Sequence, residues 1–416
     1  MNLPKNLKVL LVAVDFFNHK KSNVLYNLLC LMVAFIKGNH GGIIQHLIYN
    51  LNKYYDRKNK SFHLNFNKIA HQLAKKILES KCNIVAFSMF AYSDLLFQKT
   101  MALLVQSPNC PIILLGGRMI CGKLSVLKER YPHANFFIES YGEKVFSNLR
   151  KYLLEAEANN NPIIKALPNF EELQSPYLSN PSLIRQGMTV ELELRRGCPF
   201  NCSFCTHRNS DKQVFCIGCN QNIEKLLLLF KNEKVAKINV IDPCFNDLRT
   251  IEISKSFLNL VKKLEITALI SLQIRPEVLT TEFLDIAENM PNLIFEVGIQ
   301  SLDNKVLPEI NRGQDCSKVL QSLEELQKRR IKTEITLIYG LPKQTVESFK
   351  SDIDSLKELG FNKITAFPLQ LYPGTELFEK YQDYGLKVSL NDLGIMQVCD
   401  NPTHDFNEMK EIAKNL

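Results

Sequence analysis

The sequence predicts an α/β chain in two parts, a doubly wound parallel sheet followed by a partial (β/α)6 barrel. Three observations carry this. Short apolar runs alternate with helical stretches up to residue 154, which is the spacing of strands and crossover helices. The alternation stops over 155–187. It then resumes as a second series over 188–385, ahead of a short tail at 386–416.

In the first part, 1–154, the apolar runs are KVLLVAV (8–14), HLNF (63–66), IVAFSMF (84–90), PIILLGG (111–117) and NFFIES (135–140). Helical stretches fall near 23–36, 67–79, 93–105, 122–130 and 143–154. Between 155 and 187, Pro162, Pro168, Pro176 and Pro181 interrupt any helix and Asn159, Asn160 and Asn161 are polar, so this is a linker or a wrapping segment. The second series places strands at 190–196, 237–242, 268–274, 292–300, 332–340 and 363–372, with helices near 221–232, 247–264, 281–289, 315–330, 344–359 and 375–383. Six such units make part of the eight-fold barrel, whose sites collect at the C-terminal ends of its strands. The tail ends in a helix capped by Asp405, with Phe406, Met409 and Ile412 on one face.

Composition narrows the class. The chain has 416 residues, enough for two domains, and its 45% apolar and 23% charged residues are ordinary for a soluble protein. The net charge of +8 lies in short clusters such as Lys20–Lys21, Arg57–Lys58 and Lys328–Arg330, as on solvated faces rather than a nucleic-acid stripe. The best apolar run, Leu28–Ile36, is too short to span a bilayer. Val9–Val14 is followed by Asp15, where a signal peptide carries small residues. The expected setting is a reducing cytoplasm, where twelve cysteines are not a disulfide framework. Cys30, Cys82, Cys110 and Cys121 have apolar neighbours and read as small core residues.

Alternation along the second series separates two faces. Glu191, Glu193 and Arg195 share one face of the first strand, and Ser271, Gln273 and Arg275 one face of the third. Glu296, Gly298 and Gln300 share one face of the fourth, opposite Phe295, Val297 and Ile299. Glu334, Thr336 and Gly340 repeat this in the fifth. A purely structural barrel fills its lumen with branched apolar side chains. Polar residues there imply a polar ligand, because buried charge without partners is costly. A sheet with one solvated face would read the same way.

The loop after the first strand reads RRGCPFNCSFC (195–205). Protein-only 4Fe–4S sites use four thiolates. Three on one loop can hold three corners of the cube and leave one iron open. A structural zinc site with His207 as the fourth ligand is the rival.

Cys198-x3-Cys202-x2-Cys205, with Phe204 before the last cysteine, resembles the signature of the radical S-adenosylmethionine (radical SAM) enzymes. EVGIQSLDNKVLPEINRG (296–313), TLIYGLPKQTVESF (336–349) and FPLQLYPGT (367–375) extend the likeness. Ser88, Gly116, Gly117, Gly142 and Glu143 match places where such enzymes approach a corrin and its nucleotide tail. The chain therefore resembles, to about residue 385, the branch with an N-terminal cobalamin-binding domain. The fold implied is a Rossmann-like domain of the cobalamin-binding type plus a partial (β/α)6 radical SAM barrel.

The resemblance implies roles. Cys198, Cys202 and Cys205 ligate the cluster, whose open iron SAM chelates. Phe204 packs near the adenine. Asp242, with Pro243, takes the place of the motif at the SAM amino group, although the usual Gly-Gly-Glu is not present. Gln273, Arg275, Glu296 and Gln300 contact the ribose and methionyl parts, and Ile338 and Gly340 border the adenine. The reduced cluster would cleave SAM to a 5′-deoxyadenosyl radical, with electrons from a one-electron reductant such as flavodoxin or ferredoxin. Methylcobalamin would deliver a methyl group to an unactivated carbon of a small-molecule or peptide substrate. No Asp-x-His-x-x-Gly motif supplies a cobalt ligand, since Gly38 stands two residues before His40. A cobalamin-free rearrangement, cyclisation or oxidation stays open, as does a non-enzymatic redox sensor. Cys216 and Cys219 form a C-x2-C pair with a structural or substrate-side role, or they serve an auxiliary cluster or zinc site or a redox dithiol. Cys244, Cys316 and Cys399 stand singly.

Overall fold

The computed structural model describes residues 3–15, 25–38, 41–56, 58, 61–139, 141–207, 213–217, 222–402 and 406–416. Cys219, His40 and Asp405 lie outside the described residues. The chain forms two compact units. The first is Met1–Asn169 with Tyr372–Gly374 and Leu390–Ile395, and the second is the remainder from Phe170.

The first unit is a six-stranded parallel sheet of β1 (Lys8–Asp15), β2 (Ile43–Asn50), β3 (Ile84–Ser88), β4 (Ile112–Gly116), β5 (Phe136–Ile138) and β6 (Ile163–Ile164), in the order β2-β1-β3-β4-β5-β6. Its helices are α1 (Tyr26–Gly38), α2 (Phe66–Glu79), α3 (Ala91–Leu104), α4 (Leu124–Arg130), α5 (Glu143–Ser147) and α6 (Leu149–Ala158). Both faces are covered. Leu10, Val12 and Val14 of β1 enter one apolar layer, and Val9, Leu11 and Ala13 the other. This is why its strands read as unbroken apolar runs. Asn65 starts α2 by accepting from Lys68 N at 3.0 Å.

The second strand of the sheet is Ile43–Asn50, not 63–66 as the sequence reading placed it. β2 is an edge strand that is mostly half-buried or exposed, so its apolar residues are interrupted by Gln45 and His46. His63 and Leu64 lie outside every strand, while Ser61–Phe62 pairs with Tyr55–Asp56 in a small antiparallel ladder. The proline-rich segment also contributes β6, so it does more than link.

The second unit holds six parallel strands in sequential order, β7 (Thr189–Leu192), β8 (Lys237–Val240), β9 (Leu269–Ile274), β10 (Leu293–Gln300), β11 (Thr333–Tyr339) and β12 (Ile364–Pro368). Helices α7 (Ile223–Asn232), α8 (Ile251–Lys263), α9 (Thr281–Ala287), α10 (Cys316–Lys328), α11 (Val346–Glu358) and α12 (Glu376–Lys380) follow the successive strands. Asp315 caps α10 through Ser317 N and Lys318 N, and Thr345 with Ser348 closes a capping box on α11. After α12 come an antiparallel pair, Lys387–Leu390 with Met396–Asp400, and α13 (Phe406–Lys414). Phe406 and Met409 are buried and Ile412 is half-buried.

The two faces are those the alternation implies. Val190, Leu192, Ile238, Val240, Leu272, Val297, Ile299 and Leu337 are buried, whereas Glu191, Asn239, Gln273, Glu296, Gln300 and Thr336 keep contact with solvent. Parallel register sets Gln273 beside Glu296, Glu296 beside Glu334 and Gly298 beside Thr336.

On α11, burial pushes the Asp352 carboxyl up to about 6, although Ser301 Oγ donates to it at 2.8 Å. The folded chain thus holds this proton more tightly than the unfolded one. Stability from this group is full below pH 4 and is lost as pH rises through 6. Asp352→Asn is expected to stabilise by about 1–3 kcal/mol at pH 8 and by almost nothing at pH 4. Urea midpoints at the two pH values check this, and an equal shift at both would contradict the assignment.

Candidate active site

The site forms where β7 ends. The strand stops at Leu192, and Arg195–Arg196 turns away to pair antiparallel with Phe215–Cys216. Gly197 has φ +92°, which opens the cysteine loop at low cost. The loop is pinned from outside. Ser203 N donates to Ile310 O at 2.9 Å, Leu377 N to Ser203 O at 3.0 Å and Asn311 Nδ2 to Asn201 O at 2.8 Å.

Cys202 is buried, and Cys198 and Cys205 are half-buried. Burial pushes the Cys198 thiol up to about 11, with Cys205 and Cys202 adding to the rise, so loading iron there must displace a proton. The backbone N–H of His207 donates to Cys205 Sγ at 3.4 Å. Two guanidinium groups meet Cys202 Sγ: Arg275 Nη1 at 3.9 Å and Arg312 Nη1 at 3.8 Å. The Arg275 guanidinium also lies 3.7 Å from the centroid of the Phe200 ring and pairs with Glu277. Arg312 is buried, and its pKa is lowered by desolvation and by Arg275.

Around this loop, Asn201 Oδ1, Ser203 Oγ and Glu277 Oε2 are buried and have no hydrogen-bond partner among the described residues. Unsatisfied buried groups are rare, and each calls for a further partner such as a water, an ion or a ligand. Among the described residues no three His, Cys, Asp or Glu side chains gather as one metal ion requires. A cube asks for something else, thiolates spread over separate irons. Three thiols, two buried cations and open acceptors fit a negatively charged iron–sulfur cluster with a polar ligand beside it.

The other expected residues divide. Glu296 sits midway along the lumen face, where Ser271 Oγ donates to its carboxylate and Lys237 Nζ lies 3.9 Å away. Gln273 is exposed beside it, and Gln300 closes β10 at φ +71° where the register shifts. Ile338 is half-buried and registers with Phe367, which is 53% exposed. Phe204 is half-buried in the cysteine loop.

Asp242 has a different place from the one expected at a ligand amino group. It is fully buried, with Oδ2 accepting from Arg195 Nε at 2.8 Å and Oδ1 from the backbone N–H of Leu194 and Arg195. Arg195 in turn leaves the polar strand face assigned to it, because β7 ends before it. It donates to Phe245 O, Thr250 Oγ1 and Ser254 Oγ. Gly340, expected at an adenine, has φ +83°, and a Cβ there would stand 3.0 Å from the Phe406 ring of α13. Arg275 lies at the cysteine loop rather than along the strand face.

In the first unit, Ser88 Oγ accepts from Asn27 Nδ2 at 3.2 Å. Gly117 has φ +116°, and a Cβ there would stand 2.6 Å from Met89 O, so its glycine serves a close backbone approach within the chain. Gly116 ends β4, and a Cβ would meet Ile138 at an ordinary 3.6 Å. Gly142 precedes α5, against Leu31, and Glu143 is buried in the first turn of α5. Burial pushes the Cys244 thiol up to about 12 and raises that of Cys216.

Phe200, Glu277 and Arg312 were not singled out from sequence. Arg312 lies inside the quoted 296–313 stretch, but its meeting with Cys202 spans 110 positions and leaves no local signal. No helix among the described residues is long and apolar enough to cross a membrane.

Residues 192–356 match the Radical SAM superfamily. The cobalamin-dependent radical SAM methyltransferase TokK of Streptomyces tokunonensis is 23% identical over 76% of this chain, which spans about half (51%) of TokK. The tRNA-2-methylthio-N(6)-dimethylallyladenosine synthase of Buchnera aphidicola subsp. Schizaphis graminum is 23% identical over 70% of this chain and 67% of its own length. The radical SAM methyltransferase TsrM from Kitasatospora setae, solved with cobalamin and a [4Fe-4S] cluster, shares the fold. Its TM-score is 0.64 at 14% identity, over 92% of this chain and 77% of TsrM. Residues 192–356 thus carry a domain that matches the Radical SAM superfamily, and the chain resembles in sequence and in fold cobalamin-dependent proteins that bear such a domain.

Proposed function

We propose that Cys198, Cys202 and Cys205 hold a 4Fe–4S cluster with one open iron, and that the enzyme uses SAM there for cobalamin-dependent methyl transfer to an unactivated carbon. The observation that carries the cluster reading is Cys202 Sγ between two buried guanidinium groups, beside three orphaned polar atoms. When bound, the cluster supplies the electron that cleaves SAM to a 5′-deoxyadenosyl radical. An external one-electron reductant such as flavodoxin or ferredoxin is needed to reload it. The half-buried polar face of Gln273, Glu296 and Gln300 offers contacts to the ribose and methionyl groups.

Cobalamin use rests on TokK and TsrM, whose names and cofactors include it. A cobalamin-free radical reaction is the second reading. It is favoured by Gly117 and Ser88, whose strand-end positions already have partners in Met89 and Asn27. Corrin retention separates the two. Protein incubated anaerobically with hydroxocobalamin and desalted is expected to keep the corrin absorbance. Gly117→Leu is a poor probe, since it collides with backbone. Gly116→Val places its Cβ in allowed space at the ligand end of the sheet. It is expected to retain at least tenfold less corrin with unchanged circular dichroism. Wild type without corrin leaves the cobalamin-free reading. Absence of 5′-deoxyadenosine with SAM and dithionite removes both.

A further inference from the structure

We infer that Arg312 is a positioning residue that sets the reduction potential of the cluster, by holding an excess positive charge against its Cys202 corner. The inference rests on the cluster reading above. Arg275 and Arg312 both reach Cys202 Sγ, but their surroundings differ. Arg275 has a carboxylate partner in Glu277. Arg312 makes no ion pair of its own among the described residues, and the Glu277 carboxylate that acts on it is already paired with Arg275. It donates to two neutral acceptors, Gln314 Oε1 at 2.8 Å and the Gly298 carbonyl, and to Cys202 Sγ at 3.8 Å. It is only 6% exposed.

Two buried guanidinium groups that share one carboxylate leave an excess positive charge, which is costly. The arrangement makes sense when something anionic occupies the loop. Three thiolates around a doubly positive iron–sulfur core leave one net negative charge, which matches the one excess arginine. An electron added from an external reductant makes that charge two. Arg312 therefore favours the reduced form more than the oxidised form. Hydrogen bonds and charge at the cluster sulfurs are among the factors that set such potentials. The Gln314 and Gly298 contacts fix the guanidinium, so little rearrangement accompanies the electron.

The test is an EPR-monitored redox titration of anaerobically reconstituted full-length wild type, Arg312→Lys and Arg312→Gln, without SAM, with iron counted in each. Arg312→Gln is expected to be at least tenfold harder to reduce, a fall of about 59 mV or more for a one-electron couple. Arg312→Lys is expected to shift much less. A midpoint unchanged in Arg312→Gln at full iron content overturns the inference while leaving the cluster intact. Should Arg312→Gln hold no iron, Arg312→Lys decides. A near-wild-type midpoint and iron content there support a requirement for charge, and loss of iron there too overturns it. Wild type that holds no cluster defeats the functional reading itself, a different result from an unmoved midpoint.

Discussion

Replacing Cys198, Cys202 and Cys205 together by Ala is expected to abolish iron binding and with it all 5′-deoxyadenosine formation. The effect is near total if, as proposed, each thiolate holds its own corner of the cube. Cys244 is buried against Asn246, with Sγ 3.6 Å from Asn246 Oδ1, and its thiol is pushed up to about 12. Cys216 is in the antiparallel pair with Arg195. The loop itself is expected to keep its shape, since its backbone anchors to Ile310, Leu377 and Asn311 do not involve the thiols. Circular dichroism should therefore match wild type while the iron count falls to background. Iron retained at the wild-type level would remove the assignment. Partial iron, insensitive to SAM, would point instead to a second cluster involving Cys216.

The second large effect concerns Arg195 and Asp242. Both are essentially inaccessible, at 1% and 0% exposure, and their ion pair measures 2.8 Å. Asp242→Ala leaves a guanidinium that cannot give up its charge, with only neutral acceptors. Breaking one side of such a pair costs roughly 3–5 kcal/mol. Arg195→Met is expected to cost less. Burial already pushes the Asp242 carboxyl above the usual carboxylate range, so without Arg195 it can take up a proton and become neutral. The cost of Arg195→Met should therefore shrink as pH falls, while that of Asp242→Ala should not. The double variant Arg195→Met with Asp242→Leu should recover part of the loss. Urea unfolding at pH 5 and pH 8 measures all three, and equal costs for the two single variants at both values would contradict this account.

The legible parts of the sequence were those that depend on near neighbours. The cysteine spacing needs only eight residues, and the polar face of β9, β10 and β11 follows from strict alternation. The polar face came through because strand geometry repeats every two residues. The errors began where alternation ended. Arg195 was assigned to the lumen by continuing β7 past Leu192, yet the chain turns there and the side chain goes to Asp242. Gly340 and Gly117 were correctly noted as special, but the close approach each requires is to Phe406 and Met89 of the same chain. A glycine signals that something comes near without saying what. β2 was missed because an edge strand does not need to be apolar on both faces. Arg312 lay in plain view, and only the fold brings it to Cys202.

The first unit takes in two small pieces from near the end of the chain, 372–374 and 390–395. They are built in, since Asp392 accepts from Phe62 N at 3.2 Å and Leu393 packs on the core of that unit. The second unit, by contrast, adds each strand beside the one made just before it. As the ribosome delivers the chain, the barrel can grow strand by strand. The first sheet can form early but must wait about 220 residues for its final pieces. At the usual pace of synthesis that is a delay of roughly 10–45 s. During this interval the surface that Leu393 will cover is open, and a nascent chain stalled there is exposed to aggregation and proteolysis. A fragment ending at Asn169 should share that weakness permanently, so the two halves of this enzyme are poor candidates for separate expression.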